Sequence, residues 1–346
     1  MPDILTMLSA ADQLDFSRNF SVARPAYLGN TIFPDIKTQN FKAEYLRLAA
    51  GDHLPTIAPI HALDTETHIA SRRALERVTV EKLLIKDKIN QSEQMQLARE
   101  NGVFDDDALV EYIFDDWARL AENVICRTEA AKMEVLSSGK MTINENGIKM
   151  SVDFGVPTAN TTHTVDASAA DRNVLAQIQA VVDAAKDKGM AITGMVTSSA
   201  VIGKLLANTG ISTAVHGGAA SGAMVTRTQL RTLFNELFGF SDIRENDARY
   251  NVEDKTGKKS TARYFPQNKI SFVASYNGLQ GFGSGLWGVT PEELAQGPWT
   301  AKSAEQFVTL TQWQEPDPVA VWSKASALFI PVLPNPEGLF VATVTL

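Results

Sequence analysis

Between residues 105 and 138 apolar side chains return at three- and four-residue steps: Val110, Phe114, Trp117, Ala121, Val124, Ala131 and Val135, with Thr128 as the one polar member of the stripe. That spacing lines one face of an α-helix. Asp105, Asp106 and Asp107 put negative charge at the positive end of the helix dipole, and Ser137, Ser138 and Gly139 supply the stop. At 1.5 Å per residue the rod would be about 50 Å long, which is hard to bury inside one compact core and predicts an elongated subunit. Directly after it the period changes to two. In MTINENGIKMSVDFG, residues 141–155, Ile148, Met150, Val152 and Phe154 alternate with Lys149, Ser151 and Asp153. Asn146-Gly147 supplies the turn, so a β-hairpin (141–154) follows the end of the rod.

Elsewhere the pattern is more broken. Residues 1–40 hold a short amphipathic piece, LTMLSAADQLDF, then text punctuated by Pro25, Gly29 and Pro34, which reads as an N-terminal arm lying on something else. Residues 41–100 are polar and charge-rich; THIAS and RVTVEKLLIKDKI read as strands and SEQMQLARENG as a helical turn ending at Gly102. So long a polar excursion does not fit inside a compact domain. A helix is predicted at 168–188, capped by Ser168 with Gly189 just past its end, then a buried strand MAITGMVTS and helices at 199–207 and 227–238. A second hairpin, DARYNVEDKTGKKSTARYF, turns at Lys255 to Gly257, and ISFVAS continues as a strand, so 166–306 reads as an α/β domain of mixed topology. The final ALFIPVLPNPEGLFVATVTL reads as a closing hairpin, 327–346, with Phe340, Ala342, Val344 and Leu346 on one face. The fold class is α+β, with both hairpins expected to meet in one sheet beside the rod.

Composition narrows the function. With 346 residues, 44% hydrophobic and 21% charged, the chain can bury a sizeable core in two or three structural units. A net charge of -8 argues against a protein that grips phosphate backbones as its main task, so contact with nucleic acid should be weak. One cysteine, Cys126, excludes an intramolecular disulfide and a cysteine-based metal cage. The stretch MPDILTMLSAADQLDF is acidic where a secretory signal would be basic, and no apolar run has the length of a membrane span, so a cytoplasmic setting is expected.

Candidate chemistry is sparse. In GLQGFGSGLWG, Gly283, Gly285 and Gly288 match the dinucleotide fingerprint spacing behind a strand, but Val289-Thr290-Pro291 separates them from the next helix, VTPEELAQ, and a loop is the better reading. His61, Asp64 and His68 lack a diagnostic metal-ligand frame, and Asp105 to Asp107 are explained as a helix start rather than a cation site. Cys126 reads as a buried thiol rather than a nucleophile. Arg72, Arg73, Arg77, Lys82, Lys86 and Lys88 interleave with Glu76, Glu81 and Asp87, a mixture suited to salt bridges between subunits. Lys255, Lys258 and Lys259 read as a solvated turn. No catalytic, cofactor or metal site is expected.

Four strings, in their shared order and spacing, resemble the major capsid protein E family of lambda-like tailed bacteriophages: EAAKMEVLSSGKMTI with SVDFG; GKKSTARYFPQNKISFVAS; GLQGFGSGLWG; and SKASALFIPVLPNPEGLFVATVTL. They lie within residues 108–346. The resemblance implies the Hong Kong 97-type capsid fold. Residues 1–40 would be the N-terminal arm, 41–100 the extended loop, 101–165 with 307–346 the peripheral domain, whose spine helix is the rod at 105–138, and 166–306 the axial domain. It further implies a structural protein, not an enzyme, that assembles with itself into hexamers and pentamers of an icosahedral shell. A scaffolding protein, a portal and a decoration protein would be its partners, and the shell would enclose double-stranded DNA, made in the host cytoplasm and ending in the virion. The alternatives are an encapsulin-like nanocompartment shell on the same fold and a nucleotide-binding enzyme built on Gly283 to Gly288. The extended loop is poorer in glycine than the family's usual version, and the lysine and asparagine placements that crosslink some related shells are not matched here.

Overall fold

The computed structural model of the chain describes residues 27–48, 75–91, 106–145, 147–218, 223–253, 256–294, 300–301, 307–317 and 319–346, with isolated positions between 54 and 69. A short helix α1 (Leu28–Ile32) leads into β1 (Asp35–Lys37); β2 (Lys42–Leu48) and β3 (Leu75–Glu81) form an antiparallel ribbon, and β4 (Leu83–Gln91) precedes the long helix α2 (Asp106–Ser138). The rod is therefore present at 33 residues. It stops where Gly139 takes φ 70°, a left-handed conformation that glycine adopts without a Cβ penalty. Trp117, Leu120, Ala121, Val124, Thr128 and Val135 are buried along it, as the stripe requires. Asp105 and the side chains of Asp106, Asp107, Val110 and Phe114 lie outside the described residues.

The hairpin β5 (Lys140–Glu145) and β6 (Ile148–Asp153) follows at once, Met141 opposite Val152. Next come α3 (Thr158–Thr161), β7 (His163–Asp166), α4 (Val174–Asp187), β8 (Ile192–Thr197), α5 (Ser199–Leu206), α6 (Thr209–His216), α7 (Arg227–Phe238) and β9 (Asp242–Glu245). The second hairpin is β10 (Arg249–Glu253) with β11 (Lys259–Arg263), and β12 (Lys269–Ala274), β13 (Ser284–Gly288), α8 (Pro291–Leu294), β14 (Thr300–Ala301), β15 (Thr309–Pro316), β16 (Val319–Val332) and β17 (Leu339–Thr345) complete the chain.

Two sheets carry the architecture. In one, the 14-residue β16 pairs with β13 and β15 along one side and with β4 along the other, and β1 adds outside β13. The second has the order β7-β17-β12-β8-β9. One face of this second sheet packs Ile270, Phe272, Phe340 and Ala342 against α4, α5 and α7. Its other face turns Val196, Val273, Leu339 and Val341 toward the C-terminal half of α2. Burial on both faces explains why LFVATV and ISFVA read as nearly continuous apolar runs. The last carbonyls of α2 find donors in this sheet: Ser271 Oγ bonds Leu136 O at 2.7 Å and Lys269 Nζ bonds Ser137 O at 2.8 Å. The lysine also places positive charge at the negative end of the helix.

Three expectations are corrected. The closing hairpin does not form, because β16 and β17 lie in different sheets. Both long edges of β16 are already taken, by β4 on one side and by β13 and β15 on the other, so β17 crosses to pair with β12 and β7. For the same reason the two hairpins do not share a sheet; β5 and β6 stand as a two-stranded unit. Phe340, Ala342 and Val344 are buried together as expected, but Leu346 is 38% exposed. Lastly, Ser168 does not cap a helix. Its N–H and hydroxyl both bond Asp166 Oδ1, and α4 begins at Val174, where Asn173 Oδ1 accepts from the Ala176 N–H. The intervening carbonyls of Ala170 and Arg172 are held by Asn208 Nδ2, a tertiary bond that competes with helix propagation. Asn208 also caps α6, a helix the periodicity did not reveal.

Trp117 tests the face of the rod. It is 1% exposed and its indole N–H donates to Ser323 Oγ on β16 at 3.1 Å. Trp117→Ala should lower unfolding free energy by about 3–5 kcal/mol in denaturant titration, and Trp117→Asp should leave no soluble folded protein.

Candidate functional site

The ribbon β2–β3 ends at the pair Leu48 opposite Leu75. A buried lysine fixes its base. Lys82, between β3 and β4, is 3% exposed, and its Nζ donates to Thr38 Oγ1, Asn40 O and Trp287 O while burial lowers its pKa. Toward the far end, Arg47 Nη1 donates to Phe154 O at 3.1 Å, and its Nε and Nη2 hold Glu76 Oε2 at 2.9 and 2.7 Å. Gly155 makes this possible: at φ 80° a Cβ would sit 2.1 Å from Arg47 Nη1. Beyond the ribbon Leu54, Ile57, Ile60, Leu63 and Ile69 are 54%, 91%, 100%, 94% and 89% exposed. Large apolar side chains so bare mark a contact surface. The segment was read as polar, and the signal missed was the recurrence of apolar residues in LPTIAPIHAL without helix or strand periodicity.

A second feature, also missed, lies on α2. Lys132 is fully buried; its Nζ bonds Asp35 Oδ1 at 2.7 Å and Asn30 Oδ1 at 2.8 Å. One turn before it, Glu129 Oε1 accepts the Gly29 N–H at 3.0 Å, while Oε2 is buried with no partner. Burial raises the Glu129 pKa to about 7, against the lowering effects of the Gly29 bond and Lys132; Asp35 adds to the rise. This node holds α1 and β1 onto the rod. Nearby, α8 clamps the sheet: Glu292 accepts from Lys86 at 2.7 Å and Lys324 at 2.8 Å, and Glu293 from Lys37 at 2.8 Å. Burial alone would raise the Glu292 pKa, but the two ammonium groups outweigh it and bring it down to about 2.

The glycine run is part of the same construction. Its first half, 278–283, is a turn, as read, and its second half is β13; the N–H groups are already used, Gly283 N bonding Ile32 O at 3.0 Å and Gly285 N bonding Pro34 O at 2.9 Å. A Cβ at Gly283 would lie 2.2 Å from the Phe33 ring, and one at Gly285 2.4 Å from Asp35 Oδ1. The glycines admit the N-terminal strand, and neither donor is left for a phosphate. Of the other candidates, His61 is exposed, Asp64, His68, Arg72, Arg73 and Lys255 lie outside the described residues, and Cys126 is half-buried with Tyr264 Oη donating to its sulfur at 2.9 Å. Several cations expected to bridge subunits are engaged within the chain: Arg77 pairs with Glu44, Lys86 with Glu292, and Lys88 sits 4.0 Å above the Trp322 ring. Lys259 pairs with Glu253 at 4.0 Å. Among the described residues no three His, Cys, Asp or Glu side chains are grouped to hold a metal ion, and no helix is long and apolar enough to cross a membrane.

A long helix lodged between two sheets, with a separate antiparallel ribbon ahead of it in the chain, is the arrangement of the Hong Kong 97-type capsid fold. Solved structures agree: a prophage protein of E. coli CFT073 described as a capsid protein shares 11% identity at TM-score 0.59 over 98% of this chain and 99% of that one. A phage-related protein of Bordetella bronchiseptica RB50 shares 10% at TM-score 0.56 over 96% and 95%, and a structure from Mycobacterium phage Adephagia 12% at 0.50 over 94% and 92%. No curated protein matches. The model of the phage major capsid protein E family matches residues 13–344, and the chain belongs to that family. It is a capsid shell protein, and the nanocompartment alternative is not favoured.

Glu129 makes the node pH-dependent, with a definite sign. In the unfolded chain the carboxyl ionises near its ordinary 4.5, and in the folded chain only near 7, so folding takes up a proton between these values. Its stabilising contribution is complete below about 4.5 and lost as pH rises toward 7. Melting midpoints measured from pH 5 to 8 should show Glu129→Gln losing less stability than the parent over this span, the difference being on the order of 2–3 kcal/mol.

Proposed function

We propose that this chain is the main building block of an icosahedral shell enclosing the double-stranded DNA of a tailed phage, arranged as hexamers and pentamers of itself. The observation that carries the reading is the set of bare apolar residues Ile57, Ile60, Leu63 and Ile69, beyond a ribbon fastened at its base by Lys82 and toward its far end by Arg47. A ribbon held at its root and uncovered at its end is built to reach another copy. In this reading the β7-β17-β12-β8-β9 sheet with its helices is the axial domain. The rod, the β16 sheet and the β5–β6 hairpin are the peripheral domain. The chain acts as a structural protein without catalysis, meets a scaffolding protein and a portal during assembly in the host cytoplasm, and offers its outer surface to a decoration protein. The net charge of -8 supports weak contact with the enclosed DNA.

Light scattering and negative-stain microscopy on the expressed protein, alone and with its scaffold, should show closed shells or capsomer rings; a monodisperse monomer under all conditions would overturn the reading. Replacing residues 50–72 by a short glycine-serine turn keeps the Leu48–Leu75 pair and leaves β3 and β4 whole. That variant should keep the parent's circular dichroism and melting midpoint to within about 1 kcal/mol, since exposed residues contribute little to the core, yet form no closed shells.

A further inference from the structure

The polar node on α2 holds a third group that its ion pair does not use. The Lys132 side chain is 0% exposed and that of Asp35 18%, with Nζ 2.7 Å from Oδ1. The Phe329 ring stands 5.6 Å from Nζ, and Gly285 leaves the pair its room: a Cβ there would lie 2.4 Å from Asp35 Oδ1, 3.0 Å from the Phe329 ring and 3.1 Å from Lys132 Cε. One helical turn before the lysine, Glu129 is 2% exposed; its Oε1 accepts the Gly29 N–H, and its Oε2 has no hydrogen-bond partner. Both side chains converge over Gly29, where a Cβ would meet Glu129 Oε2 at 2.2 Å and Lys132 Cδ at 3.0 Å. A buried amine, a carboxyl in contact with it and a second buried carboxyl able to carry a proton are the parts that an amide-forming condensation needs.

We propose that Lys132 and Asp35 become joined by an isopeptide bond that forms within the folded chain, with Glu129 moving the proton. In the structure they stand as the reactants. Apolar surroundings penalise two opposite charges relative to a neutral amine beside a carboxylic acid, which favours transfer of the shared proton from Nζ to Oδ1 across 2.7 Å. The Nζ lone pair then attacks Asp35 Cγ, one covalent bond beyond Oδ1. As the C–N bond forms, Glu129 takes a proton from the nitrogen and gives one to the departing hydroxyl; the C–O bond breaks, one water leaves and Glu129 ends as it began. Burial raises the Glu129 pKa to about 7, so near neutrality its carboxyl both holds and releases a proton. Asn30, whose Oδ1 also accepts from Nζ at 2.8 Å, is the weaker acceptor, because it is exposed and a carboxamide does not take up the ammonium proton. The bond would fasten β1 to the long helix and, like any crosslink between distant residues, restrict the unfolded chain. It lies within one chain and is independent of the shell reading.

Full-length protein, unfolded in denaturant and weighed intact, should fall short of its sequence mass by one water, about 18 Da. Trypsin should then release residues 19–37 and 128–140 as one branched peptide, uncut after Lys132, with fragmentation placing the link on Asp35. The full sequence mass overturns the proposal. So does a deficit of one ammonia, which puts the link on Asn30, or a water deficit without the branched peptide, which is a cyclised aspartate. Glu129→Gln supplies a second reading. With the parent's circular dichroism it should link roughly a hundredfold more slowly, measured as the linked fraction against time after synthesis, and linking at the parent's rate would remove Glu129 from the reaction and overturn the proposal as stated.

Discussion

The buried ammonium of Lys132 is the constraint on which the remaining architecture depends. Isolated in an apolar core, such a group would cost many kcal/mol; here Asp35 and Asn30 are brought to it and the Phe329 ring lies 5.6 Å away. Those partners come from the N-terminal side of the ribbon, about a hundred residues away in sequence. Placing Asp35 fixes β1, which pairs in parallel with β13 from Asp35 opposite Gly285 to Lys37 opposite Trp287; β13 in turn pairs with β16. One ion pair thereby sets the register of three segments distant in sequence. A buried pair of this kind is weak evidence for net stability, since an apolar replacement of equal shape could do as well. Its value is in specificity: any other register of β1 on β13 strands the lysine. The orphaned Glu129 oxygen in the same place gives the node a protonation state that changes near neutrality.

From this node the structure separates into what is sealed and what is left open. The C-terminal half of α2 is covered on opposite sides by the two sheets. The ribbon meets the body through two kinds of contact: Ala43 is buried in the core with Tyr45 and Val80 packed beside it, and directional bonds are added by Lys82 with three acceptors and by Arg47 with the carbonyl of Phe154. Directional bonds at the root hold the angle of the ribbon and leave its end free of the core, as an element that must meet a second molecule requires.

Much of this was legible in the sequence, and the failures share a cause. Helix and hairpin calls rest on local periodicity, and α2, β5–β6 and β10–β11 were found because their patterns are long or their turns carry asparagine-glycine or lysine-glycine chemistry. Strand partners are a non-local property. LFIPV and LFVATV are joined by a few residues and look like a hairpin, yet β16 has no edge left to offer, which only the pairing of β4, β13 and β15 discloses. Glu129 and Lys132 drew no reading from the sequence. The clue was available: Ala130, Ala131, Met133, Val135 and Leu136 surround them on every helical face, and a helix apolar all round is buried, so its charged residues must have partners. The glycine run shows a different limit, since spacing alone does not distinguish room for a phosphate from room for Phe33 beside Gly283 and Asp35 beside Gly285.

The division between sealed body and open tip also has an energetic consequence for assembly. Burying one isoleucine or leucine side chain contributes roughly 1.5–3 kcal/mol, so covering Ile57, Ile60 and Leu63 against another copy would offer several kcal/mol per contact before the cost of association. That is modest for one pair of molecules and decisive for a closed lattice in which every copy both gives a tip and receives one. Such a contact is heterologous, because the surface given differs from the surface that receives, and repeated heterologous contacts end either in an open filament or in a closed shell. Which of these occurs is decided by the angle at which the tip is presented. In the proposed shell, the directional bonds of Lys82 and Arg47, set on the body that Lys132 helps to order, would set this angle. The apolar tip supplies attraction without direction, and the buried polar groups supply direction with little net attraction, so closure requires both.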